Sequence, residues 1–257
     1  MNKNDLSKPE QLLLENAVTW AKRNKTKIAR ELTNKEHYSR DDEPAAFFMA
    51  GCPAAGKTEV ARALAKIIGE KNNTNGDNIM RIDPDEVRES FPSYNGLNSS
   101  LFQYPTSIIV DKAFDMIMKN KQSFILDGTL SNTNIALSNI KRCIDKGYFI
   151  CILFVYNHPI NAWEAACARE ARDGRKINID VFVDRYFKSK ETVRIIKKEF
   201  GNRINIDLLL KDLKADDVSF KFNIDDIDNH IPEQYTPASL KNTLLKQEDV
   251  HESSKLK

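Results

Sequence analysis

An eight-residue segment, GCPAAGKT at positions 51–58, carries the residue types that bind phosphate groups. The spacing of Gly51, Gly56, Lys57 and Thr58 fits the pattern G-x-x-x-x-G-K-[ST], in which the backbone N–H groups of a loop surround a phosphate at the start of a helix. The glycines allow close backbone approach, the lysine brings a charge to the β- and γ-phosphates, and the threonine hydroxyl binds Mg²⁺. The predicted nucleotide-binding residues are Gly51, Cys52, Pro53, Ala54, Ala55, Gly56, Lys57 and Thr58, of which Thr58 is also the predicted metal ligand.

Acidic residues follow two further apolar segments. Asp83 and Asp85 lie at the end of NIMRID and just after it, and Asp127 ends SFILD. The carboxyl ends of the strands in an open parallel sheet form the edge at which ligands bind. Carboxylates there can accept a proton from a substrate hydroxyl or contact a metal ion or substrate. The alternative for each of the three is that it caps the helix that follows.

Three arginines recur at intervals of three residues in AWEAACAREARDGR: Arg169, Arg172 and Arg175. On a helix this spacing places the guanidinium groups along one edge, where they could contact one triphosphate and stabilise charge on the transferred γ-phosphoryl group. The alternative is a solvated helix face on which the arginines pair with Glu170 and Asp173. Because both alternatives can hold for different members of the group, we predict that two of the three arginines contact phosphate.

Apolar segments alternate with amphipathic ones along most of the chain, which predicts a doubly wound α/β sheet of five parallel strands with helices on both faces. The predicted strands lie near residues 45–50, 78–83, 123–127, 148–156 and 203–210. The predicted organisation is an N-terminal helical arm over 1–40, a core over 41–215, a C-terminal strand-turn-helix extension over 216–247 and a disordered polar tail over 248–257. Within the arm we expect one helix over Leu6–Asn24 and a shorter one over Lys25–Leu32, both laid on the sheet.

The overall charge is close to neutral, since 39 Lys and Arg residues face 37 Asp and Glu residues. This balance argues against a nucleic-acid or membrane-surface partner that is held by the charge of the whole chain. The sequence has no apolar run long enough to span a bilayer and no charged-then-apolar leader, so we expect a cytoplasmic protein. Four cysteines without C-x-x-C spacing and four histidines favour neither a zinc site nor a disulfide framework.

The order of GCPAAGKT, IDPDEVRESFPSY, FILDGT and AREARDGR resembles that of the zeta-toxin family of P-loop kinases, over roughly residues 40–215. The resemblance implies a three-layer α/β/α P-loop kinase fold, and P-loop kinases by analogy give the strand order 2-3-1-4-5. It implies ATP and Mg²⁺ as cofactors, with Lys57 and Thr58 holding phosphate and metal. It also implies that Asp85 is the base on the substrate hydroxyl.

The resemblance extends to the residues around phosphate and substrate. Arg169 and Arg175 match the two phosphate-contacting arginines of the family, but at a shorter interval, so the assignment among Arg169, Arg172 and Arg175 stays open. Asp127 stands where the family usually has Glu, and with Thr129 it would bind substrate, as would Asp83. Family toxins phosphorylate the 3′-hydroxyl of UDP-N-acetylglucosamine, relatives act on other small molecules, and an antitoxin protein is the partner that the resemblance suggests.

Two other function classes share parts of this pattern. A nucleic-acid end kinase also uses a phosphate loop and an Asp base, but the near-neutral charge counts against it. A nucleotide-dependent switch or binding module without an acceptor would not need Asp85 and Asp127 on separate strand ends, nor the arginine cluster. We therefore expect an ATP-dependent kinase that acts on a small molecule.

Overall fold

Six strands form one sheet in the computed structural model, which describes residues 6–71, 79–174, 177–212, 217–231 and 235–255. Their order is β2-β3-β1-β4-β5-β6; the first five are parallel, and β6 is antiparallel to β5. The predicted parallel sheet with order 2-3-1-4-5 is confirmed, and β6 extends it at one edge. The strands are β1 (Ala45–Ala50), β2 (Met80–Ile82), β3 (Phe124–Leu126), β4 (Phe149–Asn157), β5 (Asn205–Asp212) and β6 (Asp217–Lys221).

Helices connect the strands and cover both faces of the sheet. None of the helices in the described ranges combines the length and the apolar character needed to cross a membrane. The helices are α1 (Lys8–Leu32), α2 (Lys57–Lys71), α3 (Pro84–Glu89), α4 (Gln103–Asn120), α5 (Thr133–Asp145), α6 (Pro159–Asp173), α7 (Ile179–Phe200) and α8 (Pro237–Lys255).

Strand β4 shows how the sheet divides the core, because successive side chains of a strand point to opposite faces. Ile150, Ile152 and Phe154 pack into one apolar cluster, with residues of α4, α5 and the C-terminal half of α7. Leu153 and Val155 pack into the other, with residues of α2, α6, α8 and the N-terminal half of α7. The near-continuous apolar sequence of β4 is therefore explained by burial on both faces.

The N-terminal arm is one helix, α1, rather than the two that the sequence predicted. No glycine or proline separates the two predicted segments, and the Asn24 side chain donates to the Trp20 carbonyl at 2.9 Å inside the continuous helix. The arm lies on the sheet only in part, since Ala29, near its C-terminal end, packs into one of the two sheet-face clusters. Ala17 and Ala21 pack with Phe102 and Ile109 around α4, in an apolar cluster apart from the two on the sheet faces.

The C-terminal part differs from the predicted organisation in two respects. The sheet continues past residue 215 through β6, because the β5–β6 pairing joins Leu208 to Lys221 and Asp212 to Asp217. Helix α8 continues to Lys255 and so includes most of the segment predicted to be a disordered tail. Residues 237–255 contain proline only at the first position and no glycine, so nothing in the sequence stops the helix earlier.

Candidate active site

A cavity of about 660 Å³ opens at the carboxyl ends of the central strands, between the phosphate loop and helices α3 to α7. This is the edge at which parallel α/β sheets bind ligands. The cavity brings together residues that were predicted from four separate parts of the sequence. Among them are Lys57, Thr58, Asp83, Asp85, Asp127, Thr129, Arg169 and Arg172.

The phosphate loop connects β1 directly to α2, as its sequence predicted. Three of its residues have left-handed backbone angles: Gly51 at φ 130°, Ala54 at φ 56° and Gly56 at φ 90°. The Lys57 side chain is buried, and its ammonium donates to the Cys52 carbonyl at 2.5 Å. Burial lowers the pKa of Lys57, and the nearby negative charge of Asp127 opposes that shift. The loop therefore holds a desolvated cation beneath the space where phosphates would bind.

Gly51 gives a direct test of the close packing beneath this loop. A Cβ atom at Gly51 would lie 2.3 Å from the Val155 carbonyl oxygen of β4, and its φ is unfavourable for any other residue. We expect Gly51→Ala to lower the free energy of unfolding by at least about 2 kcal/mol, because rigid backbone must move. Gly128→Ala is the matched control, since its Cβ would have no heavy atom within 4 Å.

Chemical denaturation of both variants measures the difference. A change of less than about 0.5 kcal/mol at Gly128 is expected, as at an unconstrained position. Equal losses at the two glycines would contradict the packing of the phosphate loop on β4.

Asp127 and Thr58 form the part of the site that suits a metal ion. The Thr58 hydroxyl donates to the Asp127 carboxylate, and Arg81 donates to the same carboxylate at 3.2 Å. Burial and the negative charge of Asp83 raise the pKa of Asp127. P-loop proteins hold Mg²⁺ with this pair of groups, a loop Thr or Ser and an Asp at the end of a neighbouring strand. The residues present therefore fit Mg²⁺.

Magnesium usually keeps several waters and takes only one or two protein carboxylates together with substrate phosphates. In the described part of the chain, no group of three or more His, Cys, Asp or Glu side chains could enclose a metal ion. An open site of the Thr58–Asp127 kind agrees with that chemistry.

Asp83 and Asp85 have different surroundings, which the sequence could not distinguish. Asp83 is the N-cap of α3: its carboxylate accepts from the Asp85 backbone N–H at 2.8 Å and from Arg81 at 2.8 Å. Burial raises the pKa of Asp83, and its hydrogen bond from Arg81 opposes the rise. Asp85 lies in the first turn of α3 with 39% of its side chain exposed, against 11% for Asp83, and forms an ion pair with Arg88 at 3.0 Å. Asp85 is thus the more accessible acid of the two.

Two arginines of α6, Arg169 and Arg172, line the cavity as the sequence predicted, and Arg175 lies outside the described residues. Two further arginines that sequence reasoning missed join them: Arg88 from α3 and Arg185 from α7. Burial and the positive charge of Arg88 lower the pKa of Arg185. Within the described structure, the buried Nε atoms of Arg88 and Arg169 have no hydrogen-bond partner, so donors remain for an anionic ligand.

No sequence pattern indicated Arg185, because its place in the cavity depends on how α7 packs against α6, where Trp163 contacts Phe182. Arg88 ends the segment IDPDEVR, three residues after Asp85. That helical spacing could have indicated the ion pair between them.

Another wall of the cavity combines uncharged polar side chains with apolar ones and the Asp111 carboxylate. It comes from α4, α5 and the loop after β3, and its Thr106 hydroxyl is buried without a partner among the described residues. The Thr129 and Ser131 hydroxyls lie 2.8 Å apart on the same wall. Such groups suit the hydroxyl or amide groups of a small molecule. Thr129 was predicted from the sequence, whereas Thr106 was not.

A model of the zeta-toxin family matches residues 28–218 of the chain. No curated protein matches the sequence significantly. Among solved structures, the chain is similar to one from the PezAT chromosomal toxin-antitoxin system of Streptococcus pneumoniae, with a TM-score of 0.62 and 15% identity over 96% of this chain and 98% of that one. It is also similar to the AvrRxo1-ORF1:AvrRxo1-ORF2 complex with ATP, with a TM-score of 0.55 and 15% identity over 89% of this chain and 73% of that one.

Proposed function

Because the chain belongs to the zeta-toxin family, we propose that it is a kinase that transfers the γ-phosphate of ATP to a hydroxyl group of a small molecule. The observation that carries the proposal is the shared cavity: a phosphate loop, an accessible carboxylate at Asp85 and several arginines surround one space. A nucleotide-binding switch would need the loop but not an accessible base opposite it. The similar structure of the AvrRxo1-ORF1:AvrRxo1-ORF2 complex contains ATP, which supports ATP as the donor here.

The position of each residue in the cavity indicates its role in phosphoryl transfer. Lys57 and the loop N–H groups would hold the β- and γ-phosphates, and Thr58 with Asp127 would hold Mg²⁺, which neutralises charge on those phosphates when bound. Asp85 would orient the acceptor hydroxyl and accept its proton. The arginines would stabilise charge on the transferred group, which is the main contribution that a protein makes to a loose transition state.

We take UDP-N-acetylglucosamine as the first acceptor to test, because family toxins phosphorylate it. Its hydroxyl and amide groups match the polar wall around Thr106 and Thr129. One similar structure comes from a toxin-antitoxin system and another is a two-protein complex, which supports a toxin role and an antitoxin partner for this chain. A cytoplasmic location follows from that acceptor.

The test is transfer of labelled phosphate from ATP, with Mg²⁺, to a panel of nucleotide sugars, nucleosides, simple sugars and oligonucleotides. A labelled nucleotide sugar or other small molecule is the expected result. Labelling of oligonucleotides alone would favour the nucleic-acid kinase instead. ATP binding with no labelled product from any acceptor would favour the switch.

Arg185 gives a prediction that depends on the structure alone. We expect Arg185→Gln to lower turnover by about 10- to 100-fold, because a guanidinium that stabilises transition-state charge would be lost. Arg194→Gln on the same helix is the control, since Arg194 pairs with Asp228 away from the cavity. Steady-state kinetics at saturating ATP measures both variants. If Arg194→Gln lost as much turnover as Arg185→Gln, the role of Arg185 in the site would be wrong.

A further inference from the structure

Lys211, near the end of β5, lies against the phosphate loop from the side opposite the acids. A Cβ atom at Gly56 would be 1.9 Å from the Lys211 Nζ atom, so the ammonium rests on the bare Cα of the glycine that precedes Lys57. Gly56 and Glu59, which belong to the loop and the first turn of α2, both line the cavity. No sequence pattern connects Lys211 with this loop, because Lys211 lies 154 positions after Lys57.

The electrostatic surroundings of Lys211 favour an anion beside it. The start of a helix carries partial positive charge and Lys57 adds a full one, so a second ammonium there is repelled. Among the residues whose side chains are described, no carboxylate lies within 4 Å ion-pair distance of Lys211. The exposed side chain of Glu59 is nearby, with its Oε2 atom 3.5 Å from the same Cβ position. A bound phosphate would offset this repulsion.

The strand order indicates which phosphate Lys211 would reach. The acids follow β2 and β3, on one side of β1, whereas Lys211 lies on β5, beyond β4 on the other side. It pairs in register with Asn157, the last residue of β4. A nucleotide whose γ-phosphate points to Asp85 and Asp127 would extend its α-phosphate and ribose toward β4 and β5. The backbone N–H groups of a phosphate loop are the groups that bind the α- and β-phosphates.

We propose that Lys211 is a second lysine of the nucleotide site and contacts the α-phosphate side of the bound nucleotide. The proposal rests on the proposed function, because it requires a nucleoside di- or triphosphate in the phosphate loop. Lys57 acts on the phosphates where transfer occurs, and Lys211 acts on the part of the nucleotide that does not react. Lys211 is therefore a binding residue that sets nucleotide affinity and leaves the chemical step unchanged.

Calorimetric titration of the full chain with ADP and with adenosine tests this role. We expect Lys211→Met to weaken ADP binding about tenfold, as for one charge-assisted hydrogen bond, and to change adenosine binding less than twofold. Lys211→Arg keeps the charge and is expected to restore most of the affinity. In kinetics, KM for ATP should rise about tenfold while kcat stays within about twofold.

Lys221→Met is the matched control, since Lys221 is exposed on the same hairpin and pairs in register with Leu208, on the opposite face of the sheet from Lys211. It should leave both titrations unchanged. If the wild-type protein is an active kinase, the proposal for Lys211 alone would be overturned by unchanged ADP affinity in Lys211→Met. An equal loss of affinity for adenosine would overturn it as well. Absence of ADP and ATP binding in the wild-type protein would instead overturn the proposed function, and the role of Lys211 with it.

Discussion

Lys57→Met is expected to reduce phosphoryl transfer by at least about 10³-fold and to leave the protein folded. The ammonium is buried against the loop backbone, near the charges of Asp127 and Arg169, so its own charge is poorly screened by water. In such surroundings a fixed cation stabilises the charge on a transferring phosphoryl group far more than water does. Methionine fills a similar volume and carries no charge, so the variant removes the electrostatic contribution while it keeps the packing.

Stability should change little in this variant. Burial lowers the pKa of Lys57, which shows that the folded protein disfavours its charged form. The loss of the hydrogen bond to the Cys52 carbonyl costs about 1 kcal/mol, and the removal of a desolvated charge offsets part of that cost.

Lys66→Met on the same helix is the control, because the Lys66 side chain is 75% exposed and pairs with the exposed Glu70 at 3.8 Å. It should retain wild-type turnover. Single-turnover kinetics and thermal unfolding of both variants measure the two effects separately. A folded Lys57→Met protein with near-normal turnover would contradict the proposed kinase.

The phosphate loop was predictable from the sequence because its geometry is local. Gly51, Gly56, Lys57 and Thr58 lie within eight residues, and a strand and a helix on either side fix how they meet. The acids at strand ends were predictable for a related reason. Once β2 and β3 are recognised as parallel strands, Asp85 and Asp127 must lie at the same edge of the sheet.

The arginine cluster was only partly predictable from the sequence. The spacing of Arg169 and Arg172 predicted a helix edge, and both do line the cavity. Arg185 comes from the next helix, and its position depends on how α7 packs beside α6, which no periodicity in the sequence encodes. Lys211 is a similar case, because a residue on β5 reaches the loop after β1 only when the strand order places β4 alone between them.

The separate roles of Asp83 and Asp85 were also not predictable from the sequence. Both follow the same strand, with proline between them, and either could cap α3. The structure assigns the cap to Asp83, because Arg81 from β2 pairs with it and with Glu86 and so holds that carboxylate at the start of the helix. The sequence contained Arg81, but its partner depends on side-chain directions that become clear only in the folded protein.

The different surroundings of the two acids lead to opposite expectations for their amide variants. Asp83→Asn keeps a good capping group but loses the charge that pairs with Arg81 at 2.8 Å in a buried setting. We expect it to lower the free energy of unfolding by about 1–3 kcal/mol, because a partly unpaired guanidinium remains. Turnover by the folded fraction should fall less than in Asp85→Asn.

Asp85→Asn is expected to reduce turnover by about 10²- to 10⁴-fold, while the affinity for ATP stays within about twofold. The amide is nearly isosteric with the carboxylate but cannot accept the proton of the acceptor hydroxyl. Its ion pair with Arg88 is half-buried, since 39% of the Asp85 side chain but only 14% of the Arg88 side chain is exposed. The amide oxygen can still accept a hydrogen bond from Arg88, so we expect a loss of about 1–2 kcal/mol and a retained fold. Phosphate transfer, ATP titration and chemical denaturation of both amide variants together separate catalysis from stability.

Three other outcomes would change these roles. If the kinetic loss appears in Asp83→Asn instead, Asp83 is the base. If both variants bind ATP poorly, the pair holds the metal. Small and equal kinetic losses would exclude a base on this strand end and leave Asp127 as the acid to test.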